Sequence, residues 1–369
     1  MKHAMLSASG SSRWLNCLGS VILSKDIPKQ PSSPAAEYGT RGHEIAEHFL
    51  KNDLNISDID TGKIKWFPLT IKEKLINFDE EDYDFLTHIQ FYVDVIRSMD
   101  IPFVIEQKLP LEFITNESNA EGTADAILFA KDRLIVVDLK MGLSRVEVKD
   151  NTQLMLYGLS AWHEFGLIHD YQIVELIIVQ PRLGIVDRLE YSIEELSKFH
   201  KEVISISSKI HAMIAKTIPI EYAPNPKTCQ WCEAKALCPS LANKMFDVIQ
   251  DKSITLSELA PWTDIARKWA DSIDIQVFNE LSTGNNVEGY KLVKGRRGNR
   301  KWKDEDLAKD WLTINIGEKM YKHTIISPAD ADKILGKSIL PKELTLQEEG
   351  KNVVALENDK REKIVVQMF

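Results

Sequence analysis

Two aspartates and a lysine lie near the ends of two neighbouring apolar runs between Gly122 and Gly142. The runs, ADAILF and RLIVVDL, are joined by a short polar link and predict a β-hairpin. Asp125 is near the start of the first run, and Asp138 and Lys140 are at the end of the second, so the hairpin would place all three at one end of a sheet. Carboxylate oxygens are the ligands that Mg²⁺ and Mn²⁺ prefer, and such an ion with a cation beside it suits phosphodiester hydrolysis.

The residues next to Asp138 each have a possible role at this site. Strand side chains alternate between faces, so Lys140 shares a face with Asp138 and could orient the attacking water or counter the developing charge. The backbone carbonyl of Leu139 could serve as a further metal ligand. A carboxylate that ends an apolar run is costly unless it is paired or binds a metal. The D-x-K pattern alone is also compatible with an acidic residue in a solvated turn.

Two upstream segments offer further ligands. His43 and Glu47 are one turn apart in a helix predicted to begin at Gly42, and imidazole is a common metal ligand. Glu106 lies in the middle of the predicted strand 103–109. A surface helix of mixed charge and a half-exposed strand are the alternative interpretations, and Glu47 is a secondary candidate. The predicted metal ligands are His43, Glu106, Asp125, Asp138 and the carbonyl of Leu139.

A helix predicted from Asn151 to about Phe165 follows the hairpin. Gln153 and Tyr157 are one turn apart on it, and we expect them to hydrogen-bond a DNA backbone or the Lys140 region. A buried tyrosine with one polar partner is the alternative. A continuous apolar strand at 173–179 then completes the predicted order of helix, three strands, helix and strand.

The cysteines indicate a second metal centre. The amino-terminal residues contain no apolar core typical of a signal peptide, so a cytoplasmic protein without membrane contact is expected, in which structural disulfides are disfavoured. Zinc and an iron–sulfur cluster both accept four thiolates, and four unrelated buried thiols are the alternative. Trp14 and Trp231 are expected to shield such a centre. The cysteines are Cys17 and a C-x2-C-x5-C-P group of Cys229, Cys232 and Cys238.

Four short patterns, taken in order, resemble those of the PD-(D/E)xK nuclease superfamily in its RecB-like branch. That resemblance implies an α/β fold with a mixed sheet, a restriction-endonuclease-like core flanked by helices, and metal-dependent cleavage of DNA. The one-plus-three cysteine arrangement resembles the [4Fe-4S] site of Cas4-like nucleases, which favours a cluster over zinc. The patterns are G-x-x-x-H-x-x-x-E from Gly39 to Glu47, G-x-x-D from Gly122 to Asp125, D-x-K from Asp138 to Lys140, and Q-x-x-x-Y from Gln153 to Tyr157.

Nearly the whole chain resembles DUF2800, a phage and prophage family. The resemblance implies an exonuclease or DNA-end processor that acts on single strands or duplex ends, with phage recombination or replication proteins as partners. Two other functions stay open. The protein could be a DNA-binding scaffold without catalysis, or a nuclease subunit that is active only within a complex.

The length of 369 residues predicts two domains, at 1–245 and 246–369, of which the second is a smaller α+β domain. It would begin with a long amphipathic helix at about 262–281 that ends by Gly284 and has its tryptophans in a core.

The net charge of −9 argues against a generally basic nucleic-acid binder. Residues 289–303, however, contain seven Lys or Arg and no acid, which predicts either local phosphate contacts or a solvated basic hairpin. The predicted contacts are Lys294, Arg296, Arg297, Arg300 and Lys301.

Overall fold

The computed structural model describes residues 4–25, 27, 33–60, 69–71, 74–76 and 82–290. The chain divides into two units, residues 1–292 and 293–369, and all the described residues belong to the first. The predicted basic contacts Lys294, Arg296, Arg297, Arg300 and Lys301 lie outside the described residues, as does most of the predicted C-terminal α+β domain. The division at residue 245 therefore stays a prediction.

The described unit combines helices with a five-stranded sheet and a separate two-stranded sheet. The strands are β1 (Leu69–Ile71), β2 (Lys74–Ile76), β3 (Phe103–Pro110), β4 (Glu121–Phe129), β5 (Leu134–Leu139), β6 (Ile173–Gln180) and β7 (Ile185–Ser192). The helices are α1 (Ser11–Trp14), α2 (Gly19–Ser24), α3 (Pro34–Lys51), α4 (Ile56–Asp60), α5 (Tyr83–Arg97), α6 (Glu112–Thr115), α7 (Thr152–His169), α8 (Ile193–Ile214), α9 (Pro226–Cys229), α10 (Pro239–Gln250) and α11 (Leu256–Ser282).

The larger sheet has the order β3-β4-β5-β6-β7 and is mixed. The predicted hairpin is β4–β5, which pair antiparallel with Ala126 opposite Val137. Strands β5 and β6 pair in parallel, because α7 connects them as a crossover. The predicted mixed sheet and its order of elements are confirmed.

Each face of the sheet packs against helices. One face forms a core with α7 and α8, to which β5 contributes Leu134 and Val136. The other face forms a core with α3 and α5, to which β5 contributes Ile135 and Val137. This alternation follows from the two-residue repeat of a strand and explains why the central strands are apolar throughout.

Helix ends follow local capping chemistry. Helix α3 begins at Pro34 rather than at Gly42 as predicted, because the Ser33 side chain accepts a hydrogen bond from the Ala36 amide and Pro34 fits the first helical turn. Helix α7 begins as predicted, since the Asn151 side chain accepts from the amide of Leu154. None of the described helices is long and apolar enough to cross a membrane.

A third, smaller core lies around α9, α10 and α11. It contains Cys229, Leu241 and Met245, and α11 adds the buried side chains of Trp262 and Ile265. The predicted long amphipathic helix is confirmed as α11, and its tryptophans are core residues rather than exposed stacking surfaces. The chain leaves this helix through Gly284, whose φ of +88° is favourable only without a side chain.

Candidate metal centre

His43, Glu106 and Asp125 come from three different elements and meet in one small pocket. A ligand atom of each lies within 4.8 Å of those of the other two, and they form the one such group of His, Cys, Asp or Glu found among the described residues. His43 projects from α3, Glu106 from β3 and Asp125 from β4. One imidazole and two carboxylates at this spacing suit a divalent cation.

The two strands that carry the carboxylates are irregular at this point. Glu106 faces Asp125 in the β3–β4 register, where the paired residues on either side are Ile105 with Ala126 and Gln107 with Ala124. Glu106 has a φ of +48°, in the left-handed region that a non-glycine residue adopts only at a cost in energy.

The side-chain alternation breaks at the same place. Ala124 and Ile127 are three residues apart and would face opposite ways in a regular strand, yet both belong to the core on the α7–α8 side. Strained backbone persists where surrounding structure holds it, and here it accompanies the convergence of two acids.

Asp125 is held by both of its oxygens. Its Oδ2 accepts a 2.7 Å hydrogen bond from the Leu139 amide, and its Oδ1 lies 3.2 Å from Nδ1 of His43. Burial by itself would lower the pKa of His43, but the hydrogen bond and negative charge of Asp125 and the charge of Asp138 together raise it. The pocket therefore attracts positive charge, either a proton on His43 or a metal ion.

Asp138 lies beside this pocket rather than within the close group. It is only 3% exposed, and its Oδ2 is 2.8 Å from Nζ of Lys140. That contact is an ion pair and not a well-aligned hydrogen bond, because the same oxygen has no hydrogen-bond partner among the described residues. Burial raises the pKa of Asp138 while Lys140 opposes the rise. A buried carboxylate oxygen without a hydrogen bond fits a cation ligand.

Lys140 links Asp138 to helix α7. Its Nζ donates a 3.1 Å hydrogen bond to Oε1 of Gln153, so the predicted Asp138, Lys140 and Gln153 form a continuous polar chain. Burial alone would lower the pKa of Lys140, but the Asp138 carboxylate overrides this and raises it. The ammonium group therefore stays charged at the edge of the site.

The packing of Tyr157 accounts for the glycine at position 122 in the G-x-x-D pattern. A Cβ on Gly122 would lie 2.7 Å from Cε1 of Tyr157, so the ring packs directly on the glycine backbone. The hydroxyl lies near Gln153 and the backbone of Thr123, and burial raises the pKa of Tyr157 to about 12. The G-x-x-D and Q-x-x-x-Y patterns are thus parts of one contact.

The remaining predicted residues also line the pocket. Glu47 lies there and pairs with Lys51, whose Nζ is 2.5 Å from Oε1 of Glu47. Leu139 lines it as well, and its amide holds Asp125, while a ligand role for its carbonyl stays a prediction. Tyr92 of α5, which no sequence pattern indicated, also lines the pocket. An aromatic residue on an amphipathic helix gives no signal beyond that of a core position.

The four cysteines line one small cavity of about 20 Å³. The Sγ atoms of Cys17 and Cys238 each accept a 3.4 Å hydrogen bond from a backbone amide, those of Ala223 and Leu241. Burial raises the pKa of Cys229 to about 11 and also raises that of Cys232. No three of the described cysteines have sulfurs within 4.8 Å of one another.

A chain crossing brings Cys17 to the other three cysteines. The Gly19 amide donates a 2.8 Å hydrogen bond to the carbonyl of Glu221, and a Cβ on Gly19 would lie 2.7 Å from that oxygen. Trp14 is fully buried, but Trp231 is 68% exposed, so the expectation that Trp231 shields the cavity is wrong. It lies on the outer side of its turn, where Lys268 Nζ is 5.5 Å from its ring centre.

A family model described as "Protein of unknown function (DUF2800)" matches residues 3–362 of the chain. The chain belongs to the DUF2800 family. A crystal structure named "Putative exonuclease", from Eubacterium rectale, is similar over 69% of this chain and 92% of its own, with 13% identity and a TM-score of 0.36. The crystal structure of SSO0001 is similar over 62% and 96%, with 13% identity and a TM-score of 0.27. Scores this low decide neither the fold nor the activity.

In this DUF2800 chain a polar cleft of about 910 Å³ adjoins the Lys140–Gln153 pair. Its walls include the serine-rich segment 7–12, the start of α7 and the exposed ring of Trp231. Three cations line it, Arg13, Lys140 and Lys149, and so do three acids, Glu147, Asp150 and Glu233. Among the described residues, the cleft beside Lys140 is therefore polar but has no excess of positive side chains.

Proposed function

We propose that this protein is a Mg²⁺- or Mn²⁺-dependent deoxyribonuclease of the PD-(D/E)xK type, in its RecB-like branch. The observation that carries the proposal is the meeting of His43, Glu106 and Asp125 beside the buried Asp138–Lys140 pair. Two carboxylates, an imidazole, a further acid and a lysine are the residue types that metal-assisted phosphodiester hydrolysis needs.

His43, Glu106 and Asp125 would hold the ion, with Asp138 as the adjacent ligand. The ion, when bound, supplies Lewis-acid stabilisation and lowers the pKa of a water. Lys140 stays charged between Asp138 and Gln153, where it can orient a water or stabilise negative charge on the phosphoryl oxygens. Tyr157 packs on Gly122 and keeps Gln153 in place beside Lys140.

DNA is the proposed substrate because the polar cleft leads away from Lys140 and Gln153. Arg13 and Lys149 can contact phosphates, while the exposed ring of Trp231 offers a stacking surface for a base. The cleft has as many acids as cations, so the metal centre rather than a broad basic surface would attract the phosphate. An exonuclease or DNA-end processor is the activity proposed, on the family resemblance.

The four cysteines are proposed to hold a [4Fe-4S] cluster, with zinc as the alternative. A tetrahedral zinc ion with Zn–S bonds of about 2.3 Å requires sulfurs about 3.8 Å apart. The described cysteine sulfurs are farther apart than that, and backbone amides donate hydrogen bonds to two of them. Both features suit a multi-iron centre. A cytoplasmic location and partners from phage recombination or replication belong to the same proposal, on the family resemblance.

The nuclease proposal is tested by digestion of end-labelled single-stranded and duplex DNA with Mn²⁺. Wild-type protein should release short products, and Asp125→Asn and Lys140→Met should each lower the rate by about 100-fold or more, because each removes a charge that acts on the phosphate. Asp132→Asn, in the β4–β5 turn, is the matched control and should cut like the wild type.

Two other outcomes would change the assignment. Equal cutting by wild type, Asp125→Asn and Lys140→Met would show that these residues are not the active site. Absence of Mn²⁺ binding by calorimetry, together with absence of cutting, would favour the DNA-binding scaffold instead.

A further inference from the structure

Tyr92 lies in the middle of α5, and its hydroxyl has no hydrogen-bond partner in the part of the chain that the structure describes. The residue is 2% exposed, and its Oη is a buried atom with no hydrogen-bond partner among the described residues. A buried hydroxyl that lacks a partner lowers stability, whereas a phenylalanine would fill the same space without that cost. The hydroxyl therefore needs an explanation that apolar packing does not provide.

Tyr92 lies between an apolar core and the candidate metal pocket. The ring belongs to the apolar core on the α3–α5 side, together with Ile45, Phe49 and Ile89. Tyr92 also lines the pocket that contains His43, Glu106 and Asp125. Close packing limits movement of a buried ring, and the acids whose charges act on the hydroxyl are Asp125, Asp138 and Glu106, so the candidate site is where an acceptor is expected.

Burial and the nearby acids keep the Tyr92 hydroxyl protonated. Burial raises the pKa of Tyr92 well above its ordinary value, and the charges of Asp125, Asp138 and Glu106 raise it further. The phenol is thus protonated at neutral pH and can donate a hydrogen bond to an oxygen.

We propose that Tyr92 is a positioning residue of the candidate metal centre, whose hydroxyl gains its acceptor when a divalent cation occupies the pocket. The acceptor is an oxygen of the occupied site, either a carboxylate oxygen of the ligand set or a water held there. This inference rests on the proposed metal centre but adds a residue and a role to it. Metal binding then relieves an unmet hydrogen bond, which couples occupancy of the pocket to stability of the α3–α5 core.

The test is Tyr92→Phe, followed by Mn²⁺ titration calorimetry and thermal unfolding with and without Mn²⁺, all in the absence of DNA. The variant should unfold at the same or a higher temperature when metal-free, and its Kd for Mn²⁺ should rise about tenfold, the usual size of a lost hydrogen bond to a charged group. The rise in unfolding temperature that Mn²⁺ gives should shrink accordingly.

Ser160→Ala is the matched control. Ser160 is fully buried on α7 and its Oγ also has no partner in the part of the chain that the structure describes, but it does not line the pocket. Its removal should raise the unfolding temperature equally with and without Mn²⁺ and leave the Kd unchanged.

The outcomes separate this inference from the proposed function. If Mn²⁺ binds, Asp125→Asn abolishes binding and Tyr92→Phe leaves the Kd unchanged, the Tyr92 role is wrong while the metal centre stands. A lower unfolding temperature of metal-free Tyr92→Phe with an unchanged Kd would show that the phenol has a structural partner instead. If wild-type protein does not bind Mn²⁺, the metal centre and the Tyr92 role both fail.

Discussion

The carboxylate pocket and the cysteine cavity are both candidate metal sites, but they are built differently. The pocket draws its ligands from one helix and two strands of the main sheet, and the ligand atoms of His43, Glu106 and Asp125 already lie within 4.8 Å of one another. The cavity depends on short helices and a chain crossing at Gly19, and its sulfurs are farther apart.

Because the two sites are built differently, we expect the fold to depend on bound metal at one site and not at the other. A pocket whose candidate ligands already lie close together on α3, β3 and β4 can bind and release an ion without unfolding. Burial raises the pKa of Cys229 to about 11 and also raises that of Cys232, so a metal must displace protons from these thiols and draw the four sulfurs together. We therefore expect exchangeable metal in the pocket and structural metal in the cavity.

The largest expected effect is that of Cys17→Ser. It would remove one thiolate from a centre that closes a loop of about 210 residues. By analogy with disulfides, the tie stabilises by up to roughly 5 kcal/mol, so the unfolding temperature should fall by about 10 °C or more. Thermal unfolding together with metal analysis measures this.

Asp125→Asn is the counterpart in the other region. It should leave the metal content of the cysteine cavity unchanged, and it should change the unfolding temperature little in metal-free buffer. If Cys17→Ser were as stable as the wild type, the cavity would not be a structural metal centre and the contrast between the regions would be lost.

The next largest expected difference between the pocket and the cysteine cavity is in how metal affinity depends on pH. The pKa of His43 in the metal-free protein is raised above its ordinary 6.5, and a metal needs the neutral ring. Mn²⁺ affinity of the pocket should therefore increase up to about tenfold per pH unit while His43 is protonated, and level off once pH exceeds that raised pKa. Calorimetry at a series of pH values measures this.

The cavity should behave differently at high pH. The pKa of Cys229 is about 11, so binding there still releases a proton at pH 8 to 9, and affinity should continue to rise where the pocket has levelled off. His43→Gln should flatten the pH dependence in the pocket alone. An unchanged profile in that variant would mean that His43 does not titrate with binding.

The smallest expected effects come from two glycines of the sequence patterns. Gly122→Ala would place a Cβ 2.7 Å from the Tyr157 ring and should cost about 1–3 kcal/mol of stability and slow DNA cleavage. Gly39→Ala meets nothing within 4 Å in α3 and should stabilise the protein by up to about 1 kcal/mol. Denaturant unfolding of both variants measures the difference. Equal effects would mean that the ring does not pack on Gly122 in solution.

Several features of the fold could be predicted because they depend on local patterns. Alternating and continuous apolar runs predicted the β4–β5 hairpin and β6, and Asn151 predicted the start of α7. The start of α3 was predicted at Gly42, eight residues too late, because Ser33 and Pro34 were not recognised as the cap and first position of a helix. Such boundary errors arise when a capping signal is overlooked, and they leave the type of element correct.

The site was harder to predict where it depends on contacts between distant segments. The approach of His43 to Asp125 joins residues that are far apart in sequence, and no local pattern shows that Glu106 adopts a positive φ. The role of Gly122 is visible only once the ring of Tyr157 lies on it. Tyr92 has no sequence signal, because a buried aromatic on an amphipathic helix is ordinary.

The sequence by itself determined the types of element, their order and the chemical groups on offer. Those follow from hydrophobic periodicity and from what carboxylate, imidazole, amine and thiol can bind. The tertiary structure decided which groups meet. It put His43, Glu106 and Asp125 in one pocket, left Asp138 against Lys140 beside it, and placed Cys17 in one cavity with the other three cysteines. Distances between distant residues follow from the packing of whole elements, which no local pattern encodes.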